Sequence, residues 1–145
     1  MSYLTIEGLQ VSYGDKTILQ DLNLQIPEGK ITALIGPNGC GKSTLLKTVA
    51  RIIKPEHGRV RLQGEDLHKL DTREVARKLA LLPQAPVTPE GVTIAELVGY
   101  GRAPWRSRWG RLTEDDNQIV QQSLQQVGLA ELADRPATAL SGGQR

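Results

Sequence analysis

The sequence predicts an α/β fold in which a β-rich first half is followed by an all-helical segment from about residue 88 to 137. Hydrophobic and polar residues alternate in residues 3 to 13 and 18 to 26, as they do in strands with one buried face. Two continuous apolar runs, ITALIG at 31 to 36 and LALLPQ at 79 to 84, are typical of strands buried on both faces of a parallel sheet. After residue 88 the spacing of the apolar residues becomes helical.

The segments between these strands contain turns, helices and a further strand. GDKT joins the first two strands, which predicts an antiparallel pair, and PEGK at 27 to 30 leads into the first apolar run. The helix KSTLLKTVARII, residues 42 to 53, is predicted to end before Pro55, because the residue before a proline disfavours the helical conformation. Residues 59 to 63, RVRLQ, alternate again and predict a further strand.

Capping residues predict three more helices. Two pairs have the spacing of a capping box, in which a side-chain oxygen is followed three residues later by an acid: Asp71 with Glu74, and Thr93 with Glu96. A longer helix, EDDNQIVQQSLQQV, is predicted to follow Thr113 and to end at Gly128. Its predicted apolar stripe consists of Ile119, Val120, Leu124 and Val127.

The composition is that of one ordinary globular domain, with 145 residues, 39% of them hydrophobic, and a net charge of +2. No stretch of the sequence reaches the roughly 20 apolar residues that a membrane span needs. The single cysteine, Cys40, excludes an internal disulfide, and the two histidines, His57 and His68, lie at no metal-ligand spacing. The mild charge does not indicate a nucleic-acid partner.

One basic segment departs from this average. GRAPWRSRWGR, residues 101 to 111, contains four arginines and two tryptophans, a mixture that can hold single-stranded nucleic acid by stacking and charge. The alternative is an exposed loop whose tryptophans pack on the domain or on a partner protein. The second interpretation is favoured because aromatic residues make up only 3% of the chain, and no nucleic-acid partner is predicted.

A phosphate-binding loop is predicted between the first apolar run and the helix that follows it. GPNGCGKST fits G-x-x-x-x-G-K-[ST], and its glycines leave backbone N–H groups open to a triphosphate at a helix N-terminus. Lys42 would reach the β- and γ-phosphates, and Ser43 would offer its hydroxyl to Mg²⁺. The alternative is a glycine-rich turn that only caps a helix. The predicted nucleotide-binding residues are Gly36, Pro37, Asn38, Gly39, Cys40, Gly41, Lys42, Ser43 and Thr44.

Such a loop predicts a nucleoside triphosphate but not the reaction, since kinases, small GTPases, helicases and transport ATPases all contain one. LSGGQR at 140 to 145 narrows the choice, because together with GPNGCGKST it resembles the ATP-binding-cassette (ABC) ATPases. The resemblance implies that LSGGQ is a signature motif at the tip of a helical subdomain. It also implies two copies paired head to tail, with the signature of one closing on the ATP of the other. The implied signature contacts are Ser141, Gly142, Gly143 and Gln144.

The resemblance assigns roles to two further residues. Tyr13, in VSYG, falls where the family carries an aromatic residue that stacks on adenine, although a strand-end tyrosine can also simply pack on the sheet. Gln84 falls on the glutamine that in the family contacts Mg²⁺ and the attacking water and hinges the helical subdomain; by itself it would be an ordinary loop residue. The implied catalytic residues are Lys42, Gln84 and Ser141, and the implied Mg²⁺ ligands are Ser43 and Gln84.

A finer resemblance is to the ATPase subunits of bacterial importers for iron(III)-siderophore complexes, ferric citrate included. It runs through GPNGCGKSTLLK, LLPQ, TPEGVTIAELVGYGRAPW and WGRLTEDD. It implies a homodimer of ATPase subunits, two integral-membrane permease subunits, an indirectly coupled substrate-binding protein, and a peripheral position on the cytoplasmic face of the bacterial inner membrane. Vitamin B12 and haem importers have similar ATPases, so the substrate stays open.

The family's domain continues past the signature to a Mg²⁺-binding aspartate, a catalytic glutamate and a histidine that senses the γ-phosphate. Because residues 1 to 145 contain none of these, the sequence is expected to be an N-terminal part that is inactive by itself. Its expected organisation is an incomplete phosphate-loop core with an antiparallel β subdomain in 1–87 and an α-helical subdomain in 88–145. Two alternatives remain: a non-hydrolysing nucleotide-binding module, and a soluble ABC protein acting on DNA or ribosomes.

Overall fold

The structure is a computed structural model that describes residues 2–107 and 110–143. The chain forms two compact units, Met1–Leu81 and Leu82–Arg145. The sequence places the boundary between residues 87 and 88, and the subdomain roles assigned to the two parts stay a prediction. The elements are β1 (Ser2–Tyr13), β2 (Lys16–Pro27), α1 (Lys42–Val49), β3 (His57–Leu62), β4 (Glu65–Asp66), α2 (Thr72–Lys78), α3 (Ile94–Gly99), α4 (Glu114–Gln126) and the 3-10 turns Tyr100–Trp105, Ala130–Leu132 and Ala137–Ala139.

The first unit, called the sheet unit below, contains an antiparallel sheet in the order β2-β1-β3-β4. The predicted pairing of the first two strands is confirmed, with Leu4 opposite Ile26 and Ile6 opposite Leu24. The strand predicted at 59 to 63 is confirmed as β3. Residues of β1, β2 and β3 build the core together with residues from α1, α2 and the turn after β4: Leu4, Ile6, Leu9, Val11, Leu19, Leu45, Val60, Leu62, Leu67 and Val75.

Both apolar runs that predict parallel strands lie outside any strand, so this part of the prediction is wrong for the described structure. Residues 31 to 37 have no regular structure, and the side chains of Ile31 and Ile35 are 102% and 90% exposed. Residues 79 to 84 are likewise irregular. A strand buried on both faces needs a hydrogen-bonded neighbour on its edges, and among the described residues β1 to β4 pair only with one another.

Helix α1 ends at Val49, before the predicted end at residue 53. Arg51 adopts a φ of 62°, which breaks the helical path, and the N–H groups of Ile52 and Ile53 both donate to the carbonyl of Lys47. The chain therefore closes the helix by a local turn rather than at the proline. In α2, Asp71 caps as predicted, accepting from the N–H groups of the helix start.

The second unit, called the helical unit below, begins its helices at the predicted caps. The Thr93 hydroxyl accepts from the N–H of Glu96 at 3.2 Å, and the Glu96 carboxylate accepts from the N–H of Thr93 at 2.8 Å. Thr113 caps α4 in the same way with Asp116. The core of the unit consists of Ile94, Val120, Leu124, Ala137 and Leu140.

The predicted apolar stripe of α4 is only half right. Val120 and Leu124 are buried, whereas Ile119 and Val127 are exposed. The third buried position is Asp116, one turn before Val120, so the buried face follows an i, i+4, i+8 row. An acidic residue is acceptable there because both of its carboxylate oxygens accept hydrogen bonds at the start of the helix.

Candidate nucleotide-binding site

The phosphate loop leads directly into α1, with Gly41 as the N-cap residue at a φ of 99°. The N–H of Leu45 donates to the Gly41 carbonyl at 2.9 Å, which starts the helical hydrogen-bond ladder. A Cβ atom at Gly41 would lie 2.7 Å from a methyl carbon of Leu19 and 3.3 Å from one of Ile18. Backbone conformation and space both require glycine here, so the loop packs tightly on the beginning of β2.

Lys42 holds the loop closed on itself. Its ammonium group donates to the carbonyls of Gly36 and Pro37, each at 2.6 Å, and lies 3.6 Å from the sulfur of Cys40. A Cβ atom at Gly36 would lie 2.8 Å from that sulfur, so a larger residue there would displace the Cys40 side chain. The loop thus places its cation against its own carbonyl groups, and a bound phosphate would compete with them for the ammonium protons.

A cavity of about 380 Å³ lies over this loop. Its lining residues are Lys16, Ile18, Asn38, Gly39, Gly41, Lys42, Ser43 and Thr44. No carboxylate is present among these described residues, and two of them are lysines. A cation-lined pocket at the N-terminus of a helix is suited to an anion.

The same residues bear on the expected Mg²⁺ ion. Within the cavity Ser43 offers an exposed hydroxyl, and Thr44 is buried. A single hydroxyl suits an ion that is held mainly by phosphate oxygens and water, as Mg²⁺ usually is in nucleotide sites. Within the described part of the chain no group of three or more His, Cys, Asp or Glu side chains could hold a metal ion by itself. The donors therefore fit a nucleotide–Mg²⁺ complex better than free metal.

Tyr13 lies at the end of β1 with half of its surface exposed. Its register partner on β2 is Lys16, which lines the cavity together with Ile18. Sequence reasoning identified the tyrosine but neither of the β2 residues. The available signal was the short distance in sequence between Tyr13 and these two residues. A hairpin whose turn lies beside the phosphate loop must bring the first residues of its second strand there too.

Gln84 and the signature residues belong to the helical unit. Gln84 and Gly142 line one cavity of about 360 Å³, together with Leu82, Pro83, Ala85 and Pro86. Cβ atoms at Gly142 or Gly143 would meet no atom within 4 Å, so this backbone is open to close approach. Residues 141 to 143 form no helix. Gln144 lies outside the described residues.

The signature follows a firmly packed leucine. Leu140 is buried in the core of the helical unit, and Ser141 comes directly after it. Beside them lies an apolar groove of about 510 Å³, whose lining residues are Leu82, Pro86, Val87, Thr88, Ile94, Leu97, Val98, Val127, Leu129, Ala137, Leu140 and Gly143.

Two arginines of the basic segment, Arg102 and Arg106, bond inside the helical unit. Arg102 donates to Asp116 at 2.7 Å, and its guanidinium lies 4.4 Å from the centre of the Trp105 ring. Arg106 donates to the carbonyl of Gly110. Hydrogen bonds from the Thr113 backbone and then from Arg102 lower the pKa of Asp116 to about 2. Arg108 and Trp109 lie outside the described residues.

None of the described helices combines the length and the apolar character that crossing a bilayer requires. What the fold and the loop define is a phosphate-loop protein, in which an antiparallel sheet supports a glycine-rich helix start and a separate helical unit carries LSGG. The chain belongs to the ABC transporter family, whose sequence profile matches residues 19–145. The predicted fold class and the family resemblance are therefore confirmed.

Named relatives place the chain within that family. It is 52% identical, over its whole length, to the iron(3+)-hydroxamate import ATP-binding protein FhuC of Bacillus subtilis. It is 50% identical to the achromobactin transport ATP-binding protein CbrD of Dickeya dadantii, and 45% identical over 139 residues to the ferric enterobactin transport ATP-binding protein FepC of Escherichia coli. The chain covers 54%, 54% and 51% of these proteins, so it spans about half the length of the curated relatives it matches.

Solved structures show the same fold. An ATP-binding cassette of an ABC transporter in its ADP conformation is 28% identical, with a TM-score of 0.78 over 99% of this chain and 61% of that one. An ATP-binding subunit of an ABC transporter has a TM-score of 0.82 at 24% identity, over 98% of this chain and 57% of that one.

Proposed function

We propose that the protein containing this chain is the ATP-binding and ATP-hydrolysing subunit of an importer for iron(III)-siderophore complexes, of the ferric citrate type. The observation that carries the proposal is the conjunction of a cation-lined phosphate loop with LSGG after a buried leucine, in a chain 45 to 52% identical to three iron-chelate import subunits. The names of those relatives give hydroxamate, achromobactin and enterobactin, so the iron-chelate class is better supported than citrate in particular.

In this function the loop residues Gly36 to Thr44 hold the triphosphate. Backbone N–H groups at the start of α1 and the Lys42 ammonium contact the β- and γ-phosphates, and Ser43 completes the shell of Mg²⁺. Tyr13 stacks on the adenine ring. The half-exposed ring at the end of β1 supports this assignment, because an aromatic face that is open to solvent can be covered by a base.

The signature acts on the nucleotide of a second copy. Ser141, Gln144 and the open backbone at Gly142 and Gly143 would approach the γ-phosphate bound by the partner subunit, and Gln84 would contact Mg²⁺ and the attacking water. When the two ATPase subunits close on the nucleotides, the movement is passed to two permease subunits in the inner membrane. A substrate-binding protein acts indirectly through these permease subunits. The ATPase subunit lies peripherally on the cytoplasmic face of that membrane.

ATP hydrolysis is expected of a longer protein that contains this chain. The relatives are about twice as long as this chain, and the additional length is where the catalytic carboxylates implied by the resemblance would lie. In residues 1–145 the run 31 to 36, which leads into the phosphate loop, is exposed and unpaired among the described strands. A phosphate loop that is held in place so weakly binds nucleotide with lower affinity, because binding must also order the loop. Residues 1–145 alone are therefore expected to bind nucleotide weakly and not to hydrolyse it.

The test is Lys42→Ala in the full-length protein, read out twice. ATP affinity should fall roughly 10- to 100-fold, the equivalent of losing charge-assisted hydrogen bonds, while Lys47→Ala, an exposed lysine on α1, should bind as the wild type does. Uptake of labelled iron by cells should stop with Lys42→Ala when ferric citrate is supplied. Affinity within threefold of wild type would remove the phosphate-loop assignment, and uptake of ferric hydroxamate but not ferric citrate would remove citrate as the substrate.

A further inference from the structure

Lys16 is a second lysine on the wall of the phosphate-loop cavity. It lies at the first position of β2, far in sequence from Lys42, and both residues line the same space of about 380 Å³. Its side chain is exposed and forms no ion pair within residues 2–107 and 110–143. A free cation beside an anion site is available to a ligand without first giving up another charge.

The hairpin holds Lys16 in a defined position. Lys16 pairs with Tyr13 across the two-residue turn, and residues directly opposite each other in an antiparallel pair project to the same face of the sheet. Two residues further along β2, Ile18 and then Leu19 pack against Gly41 of the phosphate loop. The start of β2 is thereby fixed to the loop at one end and to Tyr13 at the other.

The hydrogen bonds that Lys42 already makes leave a role for Lys16. The Lys42 ammonium already donates to the carbonyls of Gly36 and Pro37, so a phosphate must replace those bonds before it gains this lysine. Lys16 carries no such cost, and the cavity contains no described carboxylate that would neutralise it. Its charge is therefore the one in the cavity that an incoming polyphosphate meets without competition.

We infer that Lys16 is a further nucleotide-binding residue, which contacts the phosphate chain of a nucleoside di- or triphosphate whose phosphates lie on the loop and whose base lies on Tyr13. The inference rests on the proposed function, since it specifies the ligand of that same site. Lys16 supplies a charge-assisted hydrogen bond to a phosphate oxygen, and it distinguishes charged nucleotides from nucleosides.

The experiment compares Lys16→Gln, Lys16→Arg and the matched control Lys47→Gln in the full-length protein, by calorimetric titration with ATP, ADP and adenosine. Lys47→Gln makes the same change in net charge as Lys16→Gln. It is a suitable control because Lys47 lies on the exposed side of α1 and lines no part of the cavity. Lys16→Gln should weaken ATP and ADP roughly tenfold and leave adenosine within about twofold. Lys16→Arg should retain most of the affinity, and raising the salt concentration should weaken Lys16→Gln less than wild type.

Three results would overturn the inference: an unchanged ATP affinity in Lys16→Gln, an equal loss for ATP and adenosine, or an equal loss in Lys47→Gln. The first shows no contact, the second a contact with the base or a disturbed hairpin, and the third a long-range charge effect. If the wild type bound ATP but Lys42→Ala bound it equally well, the proposed function would fail and this inference with it. If Lys42→Ala lost affinity and Lys16→Gln did not, only this inference would fail.

Discussion

In the sheet unit, buried side chains pair across strands that lie far apart in the sequence, whereas in the helical unit residues three apart set where the helices begin. Ile6 of β1 lies opposite Val60 of β3, and both are fully buried. In the helical unit, caps made by residues three apart fix where α3 and α4 begin, and the buried row of α4 follows from there. The contrast shows that a local signal is sufficient for a helix start, while an apolar strand is buried only if its partners are present.

Two isoleucines of the sheet unit show how strand pairing controls burial. Ile6 lies in an alternating stretch and Ile31 in a continuous apolar run, yet Ile6 is 2% exposed and Ile31 is 102% exposed. Ile6 has paired strands on both sides, β2 and β3. Ile31 lies in a segment without a described partner. Position in the pairing scheme, not hydrophobicity, decides the burial.

The largest expected effect comes from exchanging these two isoleucines for alanine in residues 1–145. Ile6→Ala should reduce the free energy of unfolding by roughly 2–5 kcal/mol, since it removes a fully buried side chain and leaves a cavity. Ile31→Ala, with its side chain in solvent, should change it by less than about 0.5 kcal/mol. Chemical denaturation followed by circular dichroism measures both. Similar losses for the two variants would show that residues 31 to 36 are buried in solution.

The features that the sequence predicts correctly are those set by residues close to one another along the chain. Alternation located β1, β2 and β3, and the cap Thr93 was found because its partner is three residues away. The cap Thr113 was found because it stands directly before the helical segment. The glycine pattern located the loop for a similar reason, since its φ requirements are local. These features depend on short-range geometry that a single sequence displays.

What could not be predicted depends on residues that meet through tertiary packing. The continuous apolar runs indicate a preference for burial on two faces but not whether neighbouring strands are available. Lys16 joins the cavity only because β2 packs on Gly41. Asp116 is buried only because Arg102, across the 3-10 turn, pairs with it. The tyrosine and glutamine assignments stay predictions.

The second prediction concerns acid and the helical unit. Because hydrogen bonds hold the pKa of Asp116 at about 2, below its ordinary 3.8, its ionised form stabilises the folded state. That contribution is complete above pH 3.8 and is lost as the pH falls towards 2. Asp116→Asn should lower the stability at neutral pH and flatten this acid response. Asp115→Asn, in the same turn but exposed, is the matched control and should keep the wild-type profile.

Tryptophan fluorescence reports this effect selectively, since both tryptophans of the sequence, at positions 105 and 109, fall after residue 81, where the sheet unit ends. Trp105 also stacks on Arg102, the partner of Asp116. An acid transition in Asp116→Asn identical to that of wild type would mean that other carboxylates control the acid response of the helical unit.

The smallest expected effect is a pH response of the sheet unit in a milder range. The Nε2 atom of His68 is buried without a hydrogen-bond partner among the described residues. Burial first, and then the charges of Arg51 and Lys54, lower the pKa of His68 below 6.5, and Asp66 opposes them only in part. The unfolded chain therefore takes up this proton at a higher pH than the folded protein does. Stability is complete above pH 6.5 and decreases as the pH falls from there towards the lower folded value.

His68→Gln cannot titrate in this range, so its stability should change less than that of wild type between about pH 8 and pH 5.5. His57→Gln, at the exposed start of β3, is the matched control because it removes the other histidine of the chain. Hydrogen exchange of the β1 and β3 amides separates the sheet unit from the helical unit, whose Asp116 responds only in stronger acid. A sheet unit that lost stability equally in His68→Gln and wild type would assign the response to another group. A loss confined to the helical amides would reverse the assignment of the two acid ranges to the two units.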